Sequence, residues 1–116
     1  MRVTFVQPRY FNIWEALSLG YIAAYVKKKF PGKLEMNFFQ GYFDDDQTII
    51  ESAKKSDIVA FSCTSPVFKS AVNLATQIKV INPGVRTVFG GFHPSAVPED
   101  CLKEDAVDQV IIGEGE

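Results

Sequence analysis

Five short apolar runs, at residues 2–6, 34–39, 58–61, 85–89 and 107–112, alternate along the chain with stretches whose apolar residues recur at helical intervals. Ala16, Leu19, Ala23, Ala24 and Val26 fall along one helix that stops before Pro31-Gly32. Ala71, Leu74, Ala75, Ile78 and Ile81 fall along another, opened by Pro66 in its first turn and ended by Asn82-Pro83-Gly84. Asp44 to Asp46 offer N-caps for a helix running to Lys55, and a short helix is predicted over 98–104. Strands that alternate with helices are joined by crossovers, so they run parallel, and right-handed crossovers put helices on both faces. The run at 58–61 is apolar throughout, as suits a strand covered on both sides. The prediction is one domain over residues 1–116, an α/β fold with a doubly wound five-stranded parallel sheet, Rossmann-like or flavodoxin-like, in three α/β/α layers.

Composition narrows the partners. At 47% hydrophobic residues the chain has material for a packed core, and 12 basic against 14 acidic residues leave a net charge of −2. The one basic cluster, Lys27-Lys28-Lys29, falls at a predicted helix end, where it complements the dipole, so no nucleic-acid partner is expected. Cys63 and Cys101 lack CxxC spacing and no secretory segment precedes them, which points to a reducing cytoplasm. No apolar run reaches the roughly 18 to 20 residues of a membrane span.

In a sheet of this kind ligands sit outside the carboxyl ends of the strands, which singles out the loops at 7–12, 40–43, 62–66, 90–95 and 113–116. Ser62, Thr64 and Ser65 either donate hydrogen bonds into that crevice or cap the following helix. Gly90-Gly91 either makes a tight turn or lets backbone lie against a large ligand. His93, the single histidine, either contacts a ligand or packs in a turn before Pro94; with one imidazole, neither a metal cluster nor a serine triad can be assembled, so no catalytic or metal-ligating residue is assigned. Cys63 reads as a small buried thiol, without a redox role. A phosphoacceptor receiver would need acidic residues where Gln7-Pro8-Arg9 stand and an aspartate where Phe61-Ser62-Cys63 stand. A flavin phosphate loop would need glycine in the stretch Pro8-Arg9-Tyr10-Phe11-Asn12, which has none.

Four segments in order, Leu19-Gly20-Tyr21-Ile22-Ala23-Ala24-Tyr25, Ser62-Cys63-Thr64-Ser65, Gly90-Gly91-Phe92-His93-Pro94-Ser95 with Pro98, and residues 108–116 ending Gly-Glu-Gly-Glu, make the chain resemble the N-terminal cobalamin-binding domain of B12-dependent radical SAM proteins. The resemblance covers essentially the full length and implies a fragment of a longer enzyme whose missing C-terminal radical SAM domain holds a 4Fe-4S cluster and uses S-adenosylmethionine. It implies cobalamin as the cofactor here and methyl transfer as the leading reaction, with ring formation or oxidation in some relatives. The wider family places a cobalt-ligating histidine in D-x-H-x-x-G; aligned on Gly20, Leu17 takes that place, so the resemblance implies a corrinoid with no protein imidazole below the metal. It further implies that Ser62 and Thr64 face the nucleotide tail, that Gly90 and Gly91 let backbone lie against it, that Phe92, His93 and Pro94 meet the tail or ring edge, that Arg9 and Tyr10 line the upper rim, and that Leu17, Gly20, Ser65, Gly113 and Glu114 also belong to the cofactor site. Replacing Gly91 with a bulky residue is expected to abolish uptake and leave folding intact. The alternative is a non-enzymatic interaction or regulatory domain of the same fold with no corrinoid, for which Leu17 and the shortage of strongly polar anchors speak.

Overall fold

The computed structural model describes residues 1–8, 17–29, 32, 34–41 and 43–113, with backbone alone for residues 17–19. Five strands, β1 (Arg2–Gln7), β2 (Glu35–Gln40), β3 (Ile58–Ser62), β4 (Arg86–Gly90) and β5 (Gln109–Val110), form one sheet in the order β2-β1-β3-β4-β5. Every pairing is parallel. Between them run α1 (Leu17–Lys29), α2 (Asp46–Ala53), α3 (Phe68–Ile81), α4 (Phe92–Ala96) and α5 (Pro98–Leu102), with a 3-10 turn at Ser65–Val67 ahead of α3. This is the doubly wound α/β fold expected, in the flavodoxin-like order, whose direction reverses between β1 and β3. Among the described residues no helix is long and apolar enough to cross a membrane.

Because side chains alternate across a strand, each strand feeds both faces of the sheet. Val6, Val59, Phe61 and Phe89 point to the side of α2 and α3, where they bury against Ile49, Ile50, Ala71, Leu74, Ala75 and Ile78. Val3 and Phe5 point the other way and bury against Ala23 of α1, with Ile58 and Ala60 packed alongside. The 3.6-residue spacing that brings Ala71, Leu74, Ala75 and Ile78 to one stripe of α3 is thus the spacing its core contact requires. Asp45 caps α2, its carboxylate accepting from the Thr48 N–H at 2.8 Å, and Lys27 to Lys29 occupy the last turn of α1. Thr4, polar but fully buried on β1, is satisfied by the Ser56 hydroxyl at 2.6 Å.

The amino-end edge is fastened by side chains. The Asn82 amide, just past α3, donates to the Ala53 and Ser56 carbonyls at 3.1 and 2.9 Å, closing the end of α2. Asp108 accepts from the Lys79 ammonium at 2.7 Å and the Thr87 N–H at 2.9 Å, while the Thr87 hydroxyl donates to the Ala106 carbonyl. β5 is short: residues 106 and 107 are buried ahead of it and Ile111 and Ile112 are exposed beyond it, the Ile111 N–H still donating to the Phe89 carbonyl at 2.9 Å, so the strand expected at 107–112 pairs through two residues. The segment expected as a loop at 90–95 contains a helical turn, α4, entered through Gly91.

Candidate functional site at the carboxyl rim

The carboxyl ends of β3 and β4 meet in register at Ser62 and Gly90. Ala60 packs on the α1 side and Phe89 on the α3 side, so alternation puts Ser62 and Gly90 together on the α1 face, next to the reversal point. Both are half-buried. A Cβ on Gly90 would meet Ile111 at 3.9 Å, an ordinary contact. Ala60, Ser62 and Gly90 therefore make a strip of small side chains running to the rim.

Gly91 has a different reason to be glycine. Its φ of 105° lies where L residues are strained, and a Cβ would stand 2.7 Å from the Cys63 carbonyl oxygen and 2.9 Å from its nitrogen. The two strand exits are zipped here: the Cys63 N–H donates to the Gly90 carbonyl at 2.8 Å, and the His93 N–H to the Cys63 carbonyl at 3.1 Å. The space beside Gly91 is filled by the protein's own backbone, so any larger residue at 91 is expected to lower stability, and the expectation that it leaves the fold undisturbed is corrected to that extent. Cys63 itself is buried, and burial raises its thiol far above the ordinary value, which suits an inert side chain.

Hydroxyls at the exit of β3 do not act as simple caps. Thr64 stands at the N-cap position of the 3-10 turn without a side-chain cap bond, and is exposed. The Ser65 hydroxyl instead shares a hydrogen bond with His93 Nδ1 at 2.9 Å. The imidazole lies over the Phe68 ring, centroids 4.6 Å apart, and Phe68 stands edge-on to Phe89, which stacks on Phe61. A column of four rings thus runs from the core to the rim and ends in His93. Nothing in the sequence marked Phe68 as a site residue, since an aromatic at a helix start reads as core. Pro94 is buried, while Phe92 is 82% exposed and Ile112 65%. Ser95 accepts from the Gly113 N–H at 3.0 Å, and Gly113 turns the chain with φ 85°.

The structure therefore brings Ser62, Ser65, Gly90, Gly91, His93, Pro94 and Gly113 to one rim, with Phe92 and Thr64 exposed on it. Gly20 sits in the first turn of α1 with open space beside it. Arg9, Tyr10 and Glu114 lie outside the described residues, as does the side chain of Leu17. Among the described residues no three His, Cys, Asp or Glu side chains are grouped to hold a metal ion. Two open clefts, of about 440 and 430 Å³, lie at the opposite edge, lined by residues such as Lys79, Arg86 and Asp108, and Arg2, Lys55 and Asp57. They belong to the amino ends of the strands, away from where a parallel sheet presents ligands.

The rim presents a small-residue strip beside the reversal point, where a parallel sheet receives its ligands. Comparison with known proteins bears on the same point. The family described as "B12 binding domain" matches residues 8–116. The anaerobic magnesium-protoporphyrin IX monomethyl ester cyclase of Rubrivivax gelatinosus is 30% identical over 128 aligned residues, covering all of this chain and 23% of the cyclase. An uncharacterized methyltransferase of Pyrococcus horikoshii is 31% identical, and the cytidylyl-2-hydroxyethylphosphonate methyltransferase of Streptomyces wedmorensis 30% identical, each match covering 86% of this chain and 22% of the relative. The chain thus spans under a quarter of the length of these relatives. With sheet order, rim and a match over nearly its whole length in agreement, the chain belongs to the B12-binding domain family.

Proposed function

We propose that this chain is the cobalamin-holding domain of a longer radical S-adenosylmethionine enzyme, whose further domain carries a 4Fe-4S cluster. The observation that carries the reading is the strip Ala60, Ser62, Gly90 on the α1 face at the rim, in a chain of this family. Bound cobalamin would supply a cobalt able to carry and release a methyl group. The chain's own residues bind and orient. Ser62 offers a hydroxyl and Gly90 bare backbone to the nucleotide tail, and exposed Thr64 a second hydroxyl; Arg9, Tyr10 and Glu114, outside the described residues, are assigned to the same cofactor on the family resemblance alone. With Leu17 in the sequence place of the family's histidine, bound cobalamin would have no protein imidazole as a ligand. Exposed Phe92 and Ile112 give the rim an apolar border of the kind that meets a ring system or another domain. Methyl transfer is the favoured reaction because two relatives are named methyltransferases, and ring closure is the second because one is named a cyclase. Two unpaired buried cysteines accord with a reducing cytoplasm.

Titrating the protein with hydroxocobalamin and following the visible spectrum tests the reading. Saturable uptake with a shifted spectrum supports it, and electron paramagnetic resonance of the cob(II)alamin form should then show no nitrogen coupling from a protein imidazole. Absence of uptake sinks it in favour of an interaction domain of the same fold.

A further inference from the structure

His93 is held more firmly than a half-buried surface side chain needs to be. Its N–H is bonded to the Cys63 carbonyl, its Nδ1 to the Ser65 hydroxyl, and its ring face to Phe68, so main chain, ring edge and ring plane are each fixed by the exit of β3. An imidazole fixed in this way has its rotamer freedom already spent and one polar atom, Nε2, left to offer. Position then decides what it can meet. Phe68 and Phe89 belong to the core on the α3 side of the sheet, whereas Ser62 and Gly90 lie on the α1 side. The imidazole and the small-residue strip are therefore on opposite lips of the rim. A nucleotide tail held along the strip would run down the α1 face, away from His93, and a ring spanning both lips would come within its reach.

We infer that His93 Nε2, aimed by Ser65 and Phe68, is the fixed hydrogen-bonding point for a peripheral primary amide of the corrin ring, and makes no contact with the nucleotide tail. This rests on the cobalamin reading above. A primary amide carries both an N–H donor and a carbonyl acceptor, so it satisfies Nε2 in either tautomer that the Ser65 bond allows. Ser65 is a positioning residue, acting through the imidazole.

The test compares hydroxocobalamin with cobinamide, which keeps the ring amides and lacks the nucleotide, by spectral titration of wild type, His93→Phe, Ser65→Ala, Ser65→Thr and the His93→Phe/Ser65→Ala pair. Melting curves serve as the check on folding. Loss of one hydrogen bond is expected to weaken both ligands by the same factor, about three- to tenfold, in His93→Phe. Ser65→Ala should show a smaller loss, Ser65→Thr should restore wild-type affinity, and the pair should be no worse than His93→Phe alone, because Ser65 has no separate contact. Weakening seen with cobalamin but not cobinamide would assign His93 to the tail and overturn the inference, as would full additivity in the pair or unchanged affinity in His93→Phe. Wild-type protein that takes up neither ligand refutes the cobalamin reading itself, and this inference with it.

Discussion

Replacing Gly91 with alanine puts a methyl group where the Cys63 peptide already is, at 2.7 Å from oxygen and 2.9 Å from nitrogen. Normal contact needs the β3 and β4 exits to part by roughly half an ångström, and overpacking of that kind costs about 1–3 kcal/mol. A backbone of φ 105° and ψ −167° is open to glycine and adds about 1–3 kcal/mol for any other residue. The two effects together come to about 4 kcal/mol, against a total stability of roughly 6–17 kcal/mol for a chain of this size. The protein should still fold, with Tm lowered by about 15 °C. Gly90→Ala is the control: its Cβ meets Ile111 at 3.9 Å and its φ is not positive, so stability should move by under about 1 kcal/mol in either direction. Thermal and urea unfolding of both variants, followed by far-ultraviolet circular dichroism, separates them. A Gly91→Ala protein melting within about 3 °C of wild type would show that the two strand exits do not pack as described.

Other outcomes follow from the amino-end edge and the thiols. Asn82→Ala leaves the Ser56 carbonyl without the amide donor and the Ala53 carbonyl with the Ser56 N–H alone, and should cost about 1–3 kcal/mol in urea unfolding; no change would mean that water replaces the amide. Burial pushes the Asp108 carboxyl up, but bonds from Lys79 and Thr87 and the Lys79 charge outweigh it and hold the carboxyl below its ordinary 3.8. The stability it contributes is therefore present above that value and lost as pH falls through the depressed one. Because the pair is partly solvated the amount is under about 1 kcal/mol, and Asp108→Asn should flatten the acid limb of an unfolding free-energy profile. Cys63 and Cys101, both almost fully buried, should resist a thiol reagent in the native protein and react on unfolding; rapid labelling of the folded chain would contradict their burial.

The sheet was legible because its signals are local. The apolar run at 58–61 and the spacing of Ala71, Leu74, Ala75 and Ile78 state a covered strand and a one-sided helix without reference to anything distant. Asp45, one of three candidate caps, takes the role because its carboxylate alone is three residues ahead of the receiving Thr48 N–H. α4 escaped because five residues are too few to show a period, and Gly91 and Pro94 at its start look like a turn. β5 was overdrawn because Ile111 and Ile112 carry strand chemistry but stand exposed beyond the last paired residue, Val110. The rim pairings were out of reach for another reason: Ser65 and His93 are 28 residues apart, and Gly91 meets Cys63 through backbone, which leaves no trace in side-chain type.

The two faces of the sheet are unequally loaded. Among the described residues the α1 side buries only Val3, Phe5 and Ala23, whereas the other side buries the bulk of the core. Backbone amides in α1 should therefore trade hydrogen for deuterium well before those of α3, in an opening that leaves the sheet assembled. The small-residue strip thus lies under the thinner of the two helical layers, and the lip that carries His93 under the thicker one.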